Sequence, residues 1–371
     1  MKNKPLFALM TTFAAIVAIV SYFLFIPINF GTNGTIVDIP AGTSKHTFIS
    51  KLSQQGLLPH PVIFSLYIYP QASRQLKAGE YFFPPNSTMV SIWRQVTTGT
   101  GLYYRPIMIV PGWTFKQVRA QLMATSGLHQ TISQLSPEQV MLKITGSAYS
   151  PEGQFFPETY YYTKGDSDLS ILKRAYLLMQ KKFNQAWAAR ANNLPYQSAY
   201  EALIAASLVE REAYLDTERP RIAGVIINRL RKQMLLQIDP TVIYGMGDRY
   251  TGNISKKDLR EDTPYNTYVH KGLPPTPIAI PSLSSIEAVM HPEQNAYYYY
   301  VAKGDGSHQF SKSLSEHNAA VAASIKNKKQ PSAYFNHEKV RKYFSVITSA
   351  KLLIAESSSF STYKTMLLLQ R

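Results

Sequence analysis

The sequence contains no cysteine, which excludes a disulfide framework, a thiol nucleophile, a zinc ribbon and an iron–sulfur cluster. Acidic residues are scarce: 23 Asp and Glu stand against 39 Lys and Arg, a net charge of +16. That balance points to acidic surroundings, which leaves nucleic acid, an anionic membrane surface or a polyanionic cell-wall polymer. At 371 residues and 45% hydrophobic content the chain is too long for one ordinary domain and too apolar for disorder. Two folded units with their own cores are expected.

Charge is also missing from one continuous stretch. No charged residue occurs from Leu6 to Ile28, and the run is mostly Leu, Phe, Ala, Ile and Val. As a helix it is long enough to cross about 30 Å of hydrocarbon. Lys2 and Lys4 precede it, and no further charge follows until Asp38. The positive-inside rule therefore puts the N-terminus in the cytoplasm and the remaining chain outside. A cleaved signal peptide is the alternative, but the run exceeds an h-region of about 7–15 residues and no Ala-x-Ala site follows. Residues 1–30 are read as an uncleaved single-pass anchor, which makes nucleic acid the least expected partner.

Between Thr35 and Leu128 one order recurs three times: a short β-rich run, a proline, a hydroxyl residue able to cap, then an amphipathic helix. The copies are Thr35–Ile39 with Pro40 and Thr43/Ser44, Tyr81–Phe83 with Pro84 and Ser87/Thr88, and Ile107–Val110 with Pro111 and Thr114. Apolar residues then follow at spacings of three and four, as in Phe48, Ile49 and Leu52, or Ile92, Trp93 and Val96. The spacing predicts small α+β units over 31–125. The part through about residue 100 resembles a LysM-like glycan-binding module, two helices on a two-stranded sheet, although strand–cap–helix is also ordinary scaffold. Residues 125–150 lack a strong period and read as a link. The aromatic segment Pro151–Tyr162, with Glu152 and Glu158 inside it, suits either a core or the wall of a sugar cleft. A long helix is predicted over Asp168–Ala189, burying Leu169, Ile171, Leu172, Tyr176, Leu177 and Met179.

The helix expected over Ser198–Tyr214 carries a carboxylate on an apolar stripe. Ile204, Leu208 and Glu212 are four apart with Ala205 and Val209 alongside, so Glu212 continues the buried face while Glu210 and Arg211 turn away. Partial burial and the negative end of the helix both favour the protonated acid. A Glu that keeps its proton near neutral pH suits a general acid acting on a glycosidic oxygen. The alternative is an ion pair with Arg219 or Arg221 beyond the helix.

Further along come Asn228-Arg229-Leu230, Leu236-Gln237-Ile238-Asp239-Pro240-Thr241-Val242-Ile243-Tyr244-Gly245, Tyr265-Asn266-Thr267-Tyr268, Gly272-Leu273-Pro274-Pro275, His308-Gln309-Phe310 and His317-Asn318. With Glu210-Arg211-Glu212, in this order, they make the chain resemble the YceG-like endolytic murein transglycosylases from the anchor to about Lys329. In that family the second Glu of the Glu-x-Glu helix is catalytic, which is Glu212 here. The family's usual Glu-Lys-Glu-Thr becomes Glu-Arg-Glu-Ala, so a helper hydroxyl at residue 213 is absent.

The resemblance implies non-hydrolytic cleavage of the β-1,4 bond between N-acetylmuramic acid and N-acetylglucosamine in nascent peptidoglycan strands. A 1,6-anhydro-muramyl end results and strand elongation is limited. Gln237, Tyr265, Asn266, Tyr268, His308, His317 and Asn318 are expected to contact the saccharide. Asn228, Arg229, Asp239 and Glu152 are expected to support the site, Arg229 by bracing the Glu212 helix and Asp239 by organising its turn. A hydrolase of the same bond needs a second carboxylate, for which Glu152, Glu158, Glu210, Glu218 and Asp239 are available. A non-catalytic wall-binding scaffold is the third alternative. His308 and His317, nine apart beside Glu316, lack compact ligand spacing, so neither metal nor other cofactor is expected.

The expected organisation is an α+β protein: anchor 1–30, LysM-like subdomain 31–125, a larger α+β catalytic domain 126–329 and an extension 330–371 without an assigned role. Its expected place is the cell inner membrane, with the catalytic domain periplasmic. The expected partners are peptidoglycan strands, the inner membrane and, through the family, glycan-polymerising penicillin-binding proteins.

Overall fold

The three strand–cap–helix passages fold as their residue order dictates. The structure, a computed structural model, describes residues 4–71 and 73–327; the extension 330–371 lies outside them. The chain divides into two units, one of residues 1–109 and 114–181, the other of 110–113 and the chain from Lys182 onward. Residues 126–181, assigned on sequence to the second domain, group with the first unit.

The first unit begins with an apolar helix, α1 (Lys4–Phe25), whose segment Phe7–Phe25 is long and apolar enough to cross a membrane. Strand β1 (Thr35–Ile39) is followed by α2 (Lys45–Gln54) and α3 (Pro61–Ile68), then by β2 (Gly79–Phe83) and α4 (Met89–Thr98). The strands pair antiparallel from Thr35↔Phe83 to Ile39↔Gly79. Phe48, Leu52, Phe64, Ile68, Tyr81, Phe83, Ile92, Trp93 and Val96 are fully buried between sheet and helices. Burying each large apolar side chain stabilises the unit by about 1.5–3 kcal/mol. Trp93 donates its indole N–H to Gln71 Oε1 at 2.9 Å, so its one polar atom is satisfied.

Strand β3 (Arg105–Met108), α5 (Phe115–Ala124), α6 (Pro137–Thr145), β4 (Thr159–Tyr162) and most of α7 (Asp168–Ala188) complete this unit. Ser44, Thr88 and Thr114 each accept from the backbone N–H three residues on, at 3.1, 3.1 and 3.4 Å. Such a cap contributes about 1 kcal/mol to its helix. The stretch 125–150 is not a plain link, because Ser136 and Gln139 form a capping box that starts α6. Between core and cleft, the segment Pro151–Tyr162 is core: β4 pairs antiparallel with β3, Phe155 and Tyr160 are buried, and Phe155 stacks on Phe115. On α7, Leu177 is exposed and Ala175 takes its expected place inside.

The second unit is built around α8 (Ala199–Glu212), packed by α9 (Arg219–Arg231), α10 (Asp239–Met246) and α11 (Leu283–Met290). A hairpin of β5 (Tyr299–Ala302) and β6 (His308–Ser311), covered by α12 (Leu314–Asn327), closes it. Every residue of α8 from Ala202 to Glu210 is buried. Glu210 therefore does not turn away to solvent as the stripe predicts, since α8 is packed on all sides. Gly224 of α9 lies where an added Cβ would meet Glu293 O at 2.4 Å, so only glycine lets the helix approach that segment.

Candidate active site

Glu212 is the last residue of α8, which Ser198 starts by accepting from Glu201 N–H at 3.2 Å. The helix delivers the carboxylate, partly buried, at its negative end. Tyr300 of β5 donates its hydroxyl to Glu212 Oε2 at 3.0 Å. Loss of water and then the nearby Asp239 charge push Glu212 from 4.5 up to about 7, against the opposing pull of Tyr300 and Arg211. At that value both the acid and its carboxylate are populated near neutral pH. Tyr300 is itself raised well above 10.0, by burial first and then by Glu212, so it stays a donor.

Neither distant arginine neutralises Glu212. Arg219 is bound to Glu210, Nη1 to Oε2 at 2.8 Å, and both side chains are nearly inaccessible. Ser282 and Ser285 hydroxyls add bonds to the same Glu210 oxygen at 2.5 and 2.8 Å, and Ser282 N–H adds another at 3.0 Å. Arg221 pairs with Glu293 at 2.9 Å. The buried Glu210–Arg219 pair ties the last turns of α8 to the starts of α9 and α11, directly behind the acid.

Asp239 is the first residue of α10, where the free N–H groups of the first turn favour negative charge. Tyr268 donates to its Oδ1 at 2.5 Å, and burial followed by that bond raises the Tyr268 hydroxyl above its ordinary value. Two carboxylates, each held by a tyrosine, thus sense one another. Arg229 is buried and engaged with backbone: Nε donates to Tyr298 O at 2.6 Å, and Nη1 to Leu235 O and Leu236 O at 2.9 Å. The same Nη1 reaches Gln237 Oε1 at 3.1 Å. Gln237 adopts φ +53°, and its N–H donates to Thr267 O at 3.0 Å.

Several expected saccharide contacts are engaged inside the protein. Asn266 is 1% exposed, and its amide donates to the carbonyls of Asp258, Leu259 and Glu261, so it organises the loop and has no free donor for a sugar. Tyr265 shares a hydrogen bond with Thr276 at 2.9 Å and packs on Tyr244. His308 is held by Glu218 through Nδ1 at 2.7 Å and its backbone N–H at 3.0 Å, with its ring edge-on to Tyr300. His317 stacks on Tyr299, and burial followed by Arg229 lowers its proton affinity. Asn318 is exposed on α12. Asn228 donates to Asn295 O and Tyr297 O at 3.0 Å, joining α9 to the segment that leads into β5 and Tyr300. Glu152 belongs to the first unit, where it accepts from Phe115 N–H at the start of α5.

Sequence reasoning passed over Tyr300, Ser282 and Ser285, and it counted Glu218 only as an available second carboxylate, not as the partner of His308. Only Tyr300 had a local signal: in the run Tyr297–Tyr300, strand alternation puts Tyr298 and Tyr300 on one face.

Fold and site together define a mixed α+β protein built around a carboxylic acid of raised proton affinity. The chain belongs to the YceG-like family, whose pattern matches residues 37–323. It is 31% identical over 310 residues to the endolytic murein transglycosylase of Bacillus subtilis (strain 168), spanning 79% of this chain and 86% of that protein. Against the endolytic murein transglycosylase of Streptococcus pneumoniae serotype 2, identity is 27% over 326 residues, 79% of this chain and 58% of that protein. A YceG-like protein of Listeria monocytogenes of solved structure aligns with a TM-score of 0.50 at 28% identity, covering 78% of this chain and 99% of that one.

Proposed function

We propose that this protein is an endolytic lytic transglycosylase that cuts the N-acetylmuramyl-β-1,4-N-acetylglucosamine bond of nascent peptidoglycan strands and so limits their length. Protonated Glu212 gives its proton to the leaving glucosamine oxygen as the bond to the muramyl anomeric carbon breaks. The resulting carboxylate then takes the proton of the muramyl C6 hydroxyl, whose oxygen bonds to that carbon. A 1,6-anhydro ring forms, no water is consumed, and Glu212 ends protonated as it began. The observation that carries this reading is the Glu212 value of about 7, where one residue can serve as acid and then base. Tyr300 holds one carboxylate oxygen and leaves the other for substrate.

Around this centre, Gln237, Tyr265, Tyr268, His308, His317 and Asn318 are proposed to line or shape the saccharide path. The second unit carries the chemistry. In the first unit, β1-α2-α3-β2 with its two-stranded antiparallel sheet is proposed as a LysM-like element, and α1 as a single-pass anchor that leaves both units outside the cytoplasm. Glycan polymerases are the proposed neighbours.

Asp239, whose charge raises Glu212, is the observation that favours a hydrolase instead. Digestion of purified peptidoglycan followed by mass spectrometry of the ends decides: anhydro-muramyl products from the wild type and none from Glu212→Gln are expected. Reducing muramic ends overturn the lyase reading, and binding without cleavage by the wild type overturns catalysis altogether.

A further inference from the structure

Helix α3, Pro-Val-Ile-Phe-Ser-Leu-Tyr-Ile, has no charged residue on any face. Its inner face buries Phe64 and Ile68 in the core of the first unit, with Ile63 and Tyr67 packed alongside. Its outer face is apolar as well: Val62 is 71% exposed, Leu66 64% and Tyr69, the residue that ends the helix, 49%. These positions are spaced by four and three, so they form one stripe. A helix that is apolar all round belongs in a core or in lipid, and the core covers only one side of this one.

The neighbour of α3 identifies the cover. Helix α1 packs on α3 near its C-terminal end, where Val20 and Leu24 enter the same core and Phe23 meets the His60 ring at 4.3 Å. Residues Phe7–Phe25 make an apolar rod about 28 Å long, the thickness of a hydrocarbon layer. Val20 then lies about 8 Å inside the exit end of that rod, a depth at which interfacial helices bury their apolar faces. Two polar groups of α3, one mid-helix and one at its C-terminal end, are satisfied inside the protein. The Ser65 hydroxyl turns back to Pro61 O at 2.8 Å, and Lys45 Nζ satisfies Ile68 O and Gln71 O at 3.3 and 2.7 Å. Tyr69 ends the stripe with a ring type common at the membrane–water boundary.

We propose that the outer face of α3, Val62, Leu66 and Tyr69, lies in the headgroup–acyl boundary beside the exit of α1, as a second membrane contact of the first unit. The inference rests on the reading of α1 as an inserted anchor. It means that the unit is held to the bilayer at two points and cannot swivel freely about α1.

The absence of native cysteine makes the test direct. Single-cysteine variants Val62→Cys, Leu66→Cys, Tyr69→Cys, Phe13→Cys within α1 and Gln121→Cys at an exposed polar position of the same unit are labelled with an environment-sensitive fluorophore. The full chain is reconstituted in phosphatidylcholine–phosphatidylglycerol vesicles. The expected result at 62, 66 and 69 is a blue shift and a loss of intensity with lipids spin-labelled near the headgroup, neither occurring at 121. Labels at 62 and 66 that match 121 while the Phe13→Cys label is quenched by lipids spin-labelled deep in the acyl chain overturn the inference and leave the anchor standing. Labels shielded from water yet unquenched by lipid also overturn it, because a protein or a second copy then covers the face. A Phe13→Cys label that no lipid quenches overturns the anchor reading and this inference with it.

Discussion

Glu212→Gln is expected to abolish cleavage and yet to strengthen the fold at neutral and alkaline pH. The folded protein holds Glu212 at about 7 against 4.5 for the free side chain. Because the folded value lies above the unfolded one, the contribution of Glu212 to stability is full below pH 4.5. It falls as pH rises from 4.5 to about 7 and is lost above that. The slope over this window is about 1.4 kcal/mol per pH unit, so the wild type loses about 3 kcal/mol that the amide, which cannot ionise, retains. In the proposed mechanism the same displacement sets the active fraction, since about half of Glu212 carries its proton at pH 7, whereas an ordinary Glu would be protonated about once in 300 molecules. The assay is urea unfolding of wild type and variant in detergent between pH 4 and pH 8. Trp93 in the first unit and Trp113 and Trp187 in the second serve as reporters. The variant's advantage is expected to grow by about 3 kcal/mol across that range. An advantage that stays constant or shrinks as pH rises refutes the argument that Glu212 is held protonated by its surroundings.

Asp239→Asn removes a charge that raises Glu212, so the alkaline limb of kcat/KM is expected to move to lower pH; an unmoved limb with lower activity throughout reduces Asp239 to a loop organiser. Tyr300→Phe removes a bond that favours the ionised form, so the limb is expected to move to higher pH while kcat falls, read from the same profiles. Arg219→Ala leaves Glu210 charged and buried without its cation. It is expected to cost about 3–5 kcal/mol by denaturant unfolding, and a loss under 1 kcal/mol would show that the serine hydroxyls suffice.

What the sequence discloses is what short-range physics decides. Proline and hydroxyl residues before an apolar stripe place β1, α2, α4 and α5 because cap, proline and stripe act within one turn. Helix α6 obeys the same rule through Ser136 and Gln139, but its apolar stripe is too short to stand out. Pairing is another matter: β4 finds β3 across some fifty residues, and nothing in Thr159–Tyr162 alone separates a strand from an aromatic loop. Glu212 is legible because its stripe is local. Glu210 is misread by the same stripe, since the direction of a helical side chain predicts exposure only where one face meets water, and Ser282 and Ser285 close that face from far along the chain. The polar loop around Asn266 looks like a sugar-binding surface for a related reason. Amides that fold a tight loop and amides that bind a saccharide are the same residues until their carbonyl partners are known.

The acid itself shows why local reading reaches Glu212 and then stops. The resemblance implies a threonine hydroxyl at the residue after it, and here that residue is Ala213, buried at the end of α8. The hydroxyl that meets Glu212 comes from Tyr300, 88 residues on. Helix ends complete the arrangement: Glu212 closes α8, where the helix opposes a negative charge, and Asp239 opens α10, where the helix supports one. The two carboxylates are therefore separated by the polarity of the helix ends that carry them, and Glu212 is the one whose proton affinity is raised. Because each half of that separation is set by a different helix end, a change that frays either end disturbs the proton on Glu212 without touching the residue.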